Sequence, residues 1–196
     1  MKVSCKISFM KKIILASKSP RRKELLEKCG IEFECMPMNI DESLNEGDTL
    51  EEKIRILSQR KASACLAAYP DAVVIGSDTI VTVDEKILGK PKNREEAKEM
   101  LRELSGRTHR VITGLCIISS ARTYTDVSVS EVTFAPLSEE EIDAYTESGE
   151  CDDKAGSYAI QGLGGKFITH ISGDYYAIMG LPLNLVYEEL KNIDLY

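Results

Sequence analysis

The chain has 196 residues, of which 43% are hydrophobic and 29% are charged, and its formal net charge is −7. This length and apolar content are sufficient for a globular domain with a real core. The acidic balance argues against a protein that coats nucleic acid, because such proteins usually carry an overall or segregated basic surplus. Any site for anions must therefore be built locally.

Cysteine and histidine usage narrows the expected chemistry. No C-x-x-C pair occurs among the six cysteines, which favours reduced, structural thiols in a cytoplasmic protein. They are Cys5, Cys29, Cys35, Cys65, Cys116 and Cys151. The two histidines, His109 and His170, have no neighbours at metal-ligand spacing, so a zinc site is not expected. A hard-cation site made of carboxylates remains open.

The N-terminal segment does not have the pattern of a targeting peptide. Its apolar runs over residues 1–12 are interrupted by Ser, Cys and Lys, and no small-residue cleavage site follows. No later apolar run is long enough to span a bilayer. We expect residues 1–11 to be an N-terminal extension, with Met10 as an alternative start, because the first recognisable strand begins directly after it.

The first predicted elements are a strand that begins at Ile13 and a helix over about 20–29, stopped by a glycine. Ser19 suits the N-cap, and the proline that follows suits the first helical position. Arg21 and Arg22 then lie where free amides and the helix dipole favour anions. Cations there oppose the dipole unless an anion arrives, so the pair predicts phosphate binding, with a solvated helical turn as the alternative.

A long helix is predicted next, after an extended segment at 33–38. Thr49 and Glu52 have the spacing of a capping box, and the helical pattern continues to about residue 68. Lys61 falls near the middle of this helix. The expected buried stripe consists of Ile54, Leu57, Ala64, Cys65 and Ala68.

Two groups of acidic residues are candidates for catalysis or metal binding. Asp41 and Glu42 lie in a polar connection, where a solvated acidic loop and a metal ligand are alternatives. Asp78 follows the apolar run 72–76, which has the pattern of a strand buried on both faces and is predicted to end at 77–79. For Asp78 the alternatives are a turn or N-cap residue and a catalytic or metal-binding carboxylate.

The rest of the chain continues to alternate strands and helices. We predict a hairpin over 80–88 that leads into Gly89-Lys90-Pro91, and paired strands at 111–119 and 124–134. Helices open at Asn93 and Ser138 and close at 105–106 and 148–149, a late strand covers 167–171, and the last helix starts at 181–182. The alternation predicts a single α/β domain over residues 1–196, with a bilobed shape as an alternative.

The stretch 152–165 is rich in glycine and is a candidate binding loop, because glycine lets the backbone approach a ligand closely. Neither nucleotide-binding fingerprint, G-x-x-x-x-G-K-[ST] or G-x-G-x-x-G after a strand, occurs. No G-x-S-x-G element points to a serine nucleophile. Lys61, Lys90 and Lys154 are individually ordinary surface lysines, and the sequence does not show that they converge on one phosphate-bearing ligand.

In this order the motifs resemble those of the Maf (septum-formation-inhibitor) family of nucleoside triphosphate pyrophosphatases, from about Ile13 to about Leu190. The motifs that carry the resemblance are Leu15-Ala16-Ser17-x-Ser19-Pro20-Arg21-Arg22, Asp41-Glu42, Lys61-Ala62, Gly76-x-Asp78-Thr79, Gly89-Lys90-Pro91, Leu104-Ser105-Gly106-Arg107-Thr108-His109, Asp153-Lys154-Ala155-Gly156 and Gly180-Leu181-Pro182-Leu183. The resemblance implies a mixed, elongated sheet with flanking helices and a central cleft between two lobes, similar to the inosine-triphosphate pyrophosphatases.

The resemblance also implies an activity. Water would attack the α-phosphorus of a nucleoside triphosphate, which leaves the nucleoside monophosphate and releases pyrophosphate. Such a reaction depends on charge neutralisation, for which a divalent cation, Mg²⁺ or Mn²⁺, is expected. The stretch Tyr158–Gly162 resembles the branch that acts on dTTP and UTP, with modified pyrimidine triphosphates as further substrates, rather than the branch that acts on 7-methyl-GTP.

Residue roles follow from the resemblance, position by position. Asp78 corresponds to the proton acceptor, and we expect it to bind the metal together with Glu42. Thr79 and Gln161, with Arg21, match positions associated with substrate choice, and an amide offers the donor and acceptor that match a pyrimidine edge. The expected substrate-binding residues are Ser17, Arg21, Arg22, Lys61, Thr79, Lys90, Lys154 and Gln161.

The chain departs from the family pattern at Lys18, at Ser77 and over 174–178, and the tyrosine pair Tyr175-Tyr176 puts fine base selectivity in question. The expected partner is the nucleoside triphosphate itself, without stable nucleic-acid or membrane binding, and a homodimer is open. The alternative function is a nucleotide-binding regulator of cell division or competence with incidental turnover.

Overall fold

The computed structural model describes residues 11–43 and 48–193. Met10, Cys5 and all of the predicted N-terminal extension except Lys11 lie outside the described residues. Within the described part of the chain, no helix is both long and apolar enough to cross a lipid bilayer.

The chain alternates strands and helices as expected. The strands are β1 Ile13–Leu15, β2 Glu34–Cys35, β3 Val73–Val83, β4 Lys86–Leu88, β5 Thr108–Ile118, β6 Thr123–Phe134 and β7 Ile168–Ser172. The α-helices are α1 Pro20–Glu27, α2 Leu50–Ala68, α3 Arg94–Leu104, α4 Glu139–Glu147, α5 Tyr175–Met179 and α6 Leu183–Lys191. Short 3-10 helices cover Ala155–Ser157 and Leu163–Phe167. The helix α5 is not among the predicted elements.

The strands of the described residues form one mixed sheet of seven, in the order β2-β1-β3-β5-β6-β7, with β4 paired to β3. The strand β1 is parallel to both β2 and β3, and the remaining pairs are antiparallel. The centre is therefore β3, whose eleven residues pair with β1 through one end and with β5 along most of their length.

Helix starts are well predicted because capping depends on residues that are close in sequence. The hydroxyl of Ser19 accepts from Arg22 N at 3.4 Å, and proline occupies the first turn of α1. A reciprocal capping box closes the start of α4 through Ser138 and Glu141. The helix α1 ends at Glu27, two residues before the predicted end, and the turn closes at Gly30, whose φ is +67°.

The prediction that the buried strand stops at residues 77–79 is wrong, since β3 runs through them to Val83. Polar side chains are tolerated there because neighbouring elements supply their hydrogen bonds. The hydroxyl of Ser77 is fully buried and lies 2.8 Å from the carbonyl oxygen of Gly114 and 2.9 Å from that of Gly180. Asp78 therefore lies in the middle of a strand, directly opposite Gly114 of β5.

Two glycines bring α2 close to the sheet. A Cβ atom at Gly76 would lie 2.5 Å from the carbonyl oxygen of Ser58, and one at Gly114 would lie 2.5 Å from that of Ile54. The residues that face the sheet include Ile54, Leu57 and Cys65, as predicted, but also Ser58 and Ala62. Ala68 is exposed and Ala64 is half-buried, because they lie away from this close contact.

Buried apolar residues form groups at both ends of β3. One group joins Val81 and Val83 to α3, α4 and Phe167. At the other end, alternation along the strands sends Val73 to a group with α1 and α6, and sends Val74 to a group with α2. The cavity described below is lined from both ends, including Val81 of the first group and Met179 of the second.

Candidate active site

A cavity of about 590 Å³ opens beside the centre of β3. Its lining contains every residue to which the family resemblance assigned a role in catalysis, metal binding or substrate binding. These are Ser17, Arg21, Arg22, Glu42, Lys61, Asp78, Thr79, Lys90, Lys154 and Gln161. Asp41 is not among the lining residues; its carboxylate accepts from the amide and the hydroxyl of Ser43 at 2.9 and 2.8 Å.

The lysine of α2 is held between two carboxylates. Lys61 Nζ lies 2.9 Å from Asp78 Oδ1 and 3.1 Å from Glu42 Oε1. The side chains of Lys61 and Asp78 are 14% and 19% exposed, whereas that of Glu42 is 64% exposed. The amide of Asp78 also donates to the buried hydroxyl of Ser58 at 3.0 Å. The close packing of α2 on the sheet thus determines where Lys61 and the Asp78 carboxylate come into contact.

Arg22 makes the most extensive contacts of the basic side chains. Its Nε donates to the carbonyl oxygen of Gly180 at 2.8 Å, and Nη1 and Nη2 donate to the hydroxyls of Ser17 at 3.4 Å and Thr79 at 3.2 Å. Nη2 also lies 3.7 Å from Asp78 Oδ1. Burial lowers the pKa of Arg22 from its ordinary value, although the charge of Asp78 opposes this effect. The planar guanidinium is therefore fixed in one orientation beside Asp78.

The hydroxyls next to Arg22 belong to a connected polar network. Thr79 Oγ1 lies 2.9 Å from Thr113 Oγ1, and Thr113 Oγ1 donates to the carbonyl oxygen of Ala177 at 2.7 Å. The carbonyl oxygen of Gly180 is within hydrogen-bond distance of both Ser77 and Arg22. Ser77, a departure from the family pattern, thus belongs to the support of Arg22.

Two further basic side chains of the lining, Arg21 and Lys154, share one carboxylate partner, Asp153. Arg21 Nη1 donates to Asp153 Oδ2 at 3.1 Å, and Lys154 Nζ donates to Asp153 Oδ1 at 2.6 Å. Lys154 Nζ also donates to the carbonyl oxygen of Glu150 at 2.7 Å. Partial burial opposes ionisation of Asp153, but hydrogen bonds from Lys154 and the charge of Arg21 hold its pKa below the ordinary value.

The remaining predicted residues lie at the exposed part of the cavity. Lys90 and Gln161 line it with exposed side chains, as does Lys18. The loop before Lys90 is tied to the 3-10 helix after Lys154, since the amide of Gly156 donates to the carbonyl oxygen of Gly89 at 3.1 Å. Tyr175 and Tyr176, the other departure, are 40% and 41% exposed and are not lining residues.

The carboxylates meet one requirement of a divalent cation. Glu42 and Asp78 are close enough to share one ammonium group, and Mg²⁺ and Mn²⁺ prefer such hard oxygen ligands. Within the described ranges, no cluster of three or more His, Cys, Asp or Glu side chains is suited to a metal. The chain therefore fits a cation that takes its other ligands from water and from substrate phosphates, as Mg²⁺ commonly does.

The lining carries a local excess of positive charge within an acidic chain. Its cationic side chains are Lys18, Arg21, Arg22, Lys61, Lys90 and Lys154, and its carboxylates are Glu42, Asp78 and Asp153. A cleft lined by one sign of charge concentrates ligands of the opposite sign. The arrangement suits a polyphosphate that arrives with a divalent cation, because the cation then meets the carboxylates and the phosphates meet the basic groups.

Sequence reasoning missed several residues that support the site. His109 is buried, and its Nε2 lies 2.8 Å from the hydroxyl of Tyr158, which lines the cavity. Ser58 and Thr113 reach Asp78 and Thr79 from neighbouring elements. For Thr113 the sequence signal is a polar residue inside an otherwise apolar run, and His109 belongs to one of the motifs that resemble the family, whereas Ser58 has neither signal. The sequence identifies the partner of none of the three.

Comparison with known proteins gives close relatives over nearly the whole chain. The sequence model of a family described as Maf-like protein matches residues 12–193. A dTTP/UTP pyrophosphatase of Bacillus anthracis is 52% identical over 187 residues, which are 94% of this chain and 98% of the relative. A dTTP/UTP pyrophosphatase of Bacillus cereus is also 52% identical over 187 residues, 94% of this chain and 92% of the relative.

Solved structures confirm the expected fold. The Staphylococcus aureus Ham1 protein matches with a TM-score of 0.52 and 15% sequence identity, over 93% of this chain and 99% of that one. A HAM1 protein from Coxiella burnetii matches with a TM-score of 0.50 and 16% identity, over 93% of this chain and 100% of that one. At such low identity the likeness concerns the fold alone.

Proposed function

The chain belongs to the Maf family, and we propose that it is a nucleoside triphosphate pyrophosphatase that hydrolyses dTTP and UTP to the nucleoside monophosphate and pyrophosphate. Relatives that are 52% identical over 94% of the chain carry the name dTTP/UTP pyrophosphatase. The observation that carries the proposal is the convergence of six cationic side chains and the Glu42–Asp78 carboxylate pair in one cavity. That combination matches a triphosphate with a divalent cation.

We assign the phosphates to the basic groups on both sides of Asp78. Arg22 is held rigidly by Gly180, Ser17 and Thr79, so its fork is pre-oriented for phosphate oxygens. Arg21 and Lys154 approach from the side of Asp153, and Lys90 lies at the exposed part. When substrate binds, these basic side chains would exchange their internal partners for phosphate oxygens. The triphosphate would then be bound from several directions.

We assign Asp78 to the attacking water. Its carboxylate faces the cavity from the middle of β3, and its position is fixed by the strand pairing to Gly114 and by the Ser58 hydrogen bond. A carboxylate so placed accepts a proton from water as the oxygen approaches the α-phosphorus. The proton moves to an Asp78 oxygen, the new bond forms to the α-phosphorus, and the bond from this phosphorus to the bridging oxygen of pyrophosphate breaks.

Glu42 and Asp78 would hold the divalent cation, Mg²⁺ or Mn²⁺. When bound, such a cation neutralises charge on the phosphate oxygens and on the leaving pyrophosphate. Lys61 lies between the two carboxylates. Its ammonium group would turn from them toward a phosphate oxygen when substrate and cation arrive, since its flexible stem permits such a shift.

Gln161 and Thr79 remain our predicted readers of the pyrimidine base. The amide of Gln161 lies at the exposed part of the cavity and offers both a donor and an acceptor. The hydroxyl of Thr79 accepts from Arg22 Nη2 at 3.2 Å, so we predict that it acts on substrate choice from the side of the cavity where Arg22 lies. A cytoplasmic location remains part of the proposal.

A substrate panel tests the function. The purified chain is incubated with dTTP, UTP, CTP, ATP and 7-methyl-GTP, with Mg²⁺ or Mn²⁺, and pyrophosphate and nucleoside monophosphate are measured. We expect dTTP and UTP to give the highest kcat/KM, with equal amounts of the two products. Tight nucleotide binding without pyrophosphate release from any triphosphate would instead favour a nucleotide-binding regulator.

A further inference from the structure

The loop that carries Gln161 is fixed by two side chains from the end of α4 and the turn after it. Glu150 Oε1 accepts from the amide of Leu163 at 2.9 Å, and Glu150 Oε2 accepts from the amide of Gly164 at 3.1 Å. Tyr145 Oη donates to Glu150 Oε2 at 2.8 Å and accepts from the amide of Ala159 at 3.1 Å. The backbone is therefore held on both sides of Gln161.

The carboxylate also explains a glycine in this loop. A Cβ atom at Gly162 would lie 2.0 Å from Glu150 Oε1 and 2.5 Å from its carboxyl carbon. The side chain of Glu150 cannot move away cheaply, because two amides and a hydroxyl bind it. The loop thus passes directly over the carboxylate, and the residue after Gln161 must lack a side chain.

Ionisation of Glu150 is consistent with this role. Partial burial favours the protonated form, but hydrogen bonds from Leu163, Tyr145 and Gly164 hold the pKa of Glu150 below its ordinary value. Tyr145 itself is buried and packs edge to face on Phe167, with the ring centroids 5.2 Å apart. The support of the loop is therefore anchored in the core.

Backbone and side chain of Glu150 serve different parts of the cavity. Its carbonyl oxygen accepts from Lys154 Nζ at 2.7 Å, on the side assigned to phosphates. Its carboxylate holds the Gln161 loop, on the side assigned to the base. A substitution of the side chain leaves the carbonyl in place, so the two effects are experimentally separable.

We propose that Glu150, together with Tyr145, is a positioning residue that fixes Gln161 and thereby sets selectivity for the pyrimidine base. This inference rests on the proposed function, because it needs a base to be read at Gln161. It concerns binding of the base alone. Binding of the phosphates and the transfer of a proton from water to Asp78 are assigned to other residues.

The test compares two ligands that share the phosphates and differ in the base. Binding is measured by calorimetry with Mg²⁺ present, for inorganic tripolyphosphate and for UTP in the form of its analogue with a methylene group between the α- and β-phosphorus, so that no turnover occurs. In Glu150→Gln an amide group must face the amide of Leu163 or Gly164, donor against donor. We expect the Kd for UTP to rise about tenfold, the effect of losing one charge-assisted hydrogen bond, with less than a twofold change for tripolyphosphate.

The controls separate positioning from general damage. Glu147→Gln makes the same change at an exposed residue of α4, and both Kd values should stay as in the unchanged chain. Tyr145→Phe keeps the ring and removes the hydroxyl, so it should also weaken UTP more than tripolyphosphate. It serves as the second variant if Glu150→Gln does not fold.

The outcomes distinguish the two proposals. Equal Kd values for UTP in the unchanged chain and Glu150→Gln, or equal weakening of both ligands, would overturn the positioning role. So would an unchanged chain that binds UTP no more tightly than tripolyphosphate. Absence of pyrophosphate release from UTP by the unchanged chain overturns the proposed function instead, while the comparison of binding still decides the role of Glu150.

Discussion

Lys61 Nζ donates to Asp78 Oδ1 over 2.9 Å, a shorter distance than the 3.7 Å that separates Arg22 Nη2 from the same oxygen. The lysine comes from α2 and the aspartate from the middle of β3. The two side chains come within hydrogen-bond distance because α2 packs closely on the sheet at Gly76 and Gly114. The proposed general base is therefore placed next to a cation by the fold itself.

Asp78→Asn should lower kcat at least about a hundredfold, because an amide cannot accept the proton from water. The strand pairing and the Ser58 hydrogen bond both use the backbone of residue 78, so the fold should persist. Pyrophosphate release and thermal unfolding are the measurements. The matched control is Asp71→Asn at an exposed position; full activity in Asp78→Asn would remove Asp78 from catalysis.

Lys61→Met should change metal binding and turnover in opposite directions. Without the ammonium group, Glu42 and Asp78 lose their shared cation, so Mn²⁺ should bind the substrate-free chain about tenfold more tightly. The kcat should fall, since a phosphate contact is lost. Calorimetry with Mn²⁺ and steady-state kinetics measure the two effects. Lys53→Met on the same helix is the control, and weaker Mn²⁺ binding in Lys61→Met would contradict the expectation.

Arg22→Lys should be more harmful than Arg21→Lys. A lysine at position 22 cannot reproduce the contacts to Gly180, Ser17 and Thr79, so the free energy of unfolding should fall by about 2 kcal/mol and the KM should rise. The hydrogen bonds and the ion pair of Arg21 go to Asp153, whose side chain is 57% exposed. Replacement of Arg21 should raise KM with little effect on urea unfolding; equal losses of stability would argue against this difference.

Gly114→Ala should destabilise the fold by about 1–3 kcal/mol, because the new methyl group would meet the backbone of α2. The helix must shift, and with it Lys61 and Ser58, so kcat should fall as well. The matched control is Gly89→Ala, since a Cβ atom there meets nothing within 4 Å. Urea unfolding compares the two variants, and similar stabilities would show that the helix yields without cost.

Stability should decline with acid because of His109. Burial lowers the pKa of His109 from 6.5 to about 4 in the folded chain. Between these values the unfolded chain binds a proton that the folded chain does not, so the free energy of unfolding falls as pH drops from 6.5 toward 4. The full loss is roughly 3 kcal/mol.

Two measurements check the His109 prediction. NMR titration should give His109 a pKa well below its ordinary value of 6.5. Urea unfolding of His109→Gln should show a flatter dependence on pH between 7 and 5 than the unchanged chain, whereas His170→Gln should not. A pKa near 6.5 for His109 would contradict the burial effect.

Local features of the site were predictable from the sequence. The start of α1 depends on Ser19 and its proline, and these fix the direction of Arg21 and Arg22 within one helical turn. The motifs shared with the family marked Asp78, Lys61 and the other lining residues. Their convergence on one cavity was an expectation of the resemblance and is visible only in the tertiary structure.

Features that depend on distant neighbours were missed. The strand β3 continues through Asp78 because carbonyl oxygens of β5 and of Gly180 accept hydrogen bonds from the hydroxyl of Ser77. These partners are distant in sequence, so the residues near Ser77 do not predict them. Glu150 accepts hydrogen bonds from the backbone amides of Leu163 and Gly164. Every residue except proline has such an amide, so the residue types at these positions do not predict the contact. Long-range backbone contacts are therefore where sequence patterns lose their information.

A ligand that binds to the basic side chains of the cavity must first break their internal ion pairs. These are the pairs of Arg21 with Asp153 and of Lys61 with Asp78 and Glu42. An inorganic anion such as chloride or phosphate must break these pairs and leaves carboxylates without a cation, which is unfavourable in a partly buried site. A polyphosphate that brings its own divalent cation restores both sets of partners. We therefore expect a polyphosphate with its divalent cation to bind in the cavity more tightly than chloride or inorganic phosphate, before any base is recognised.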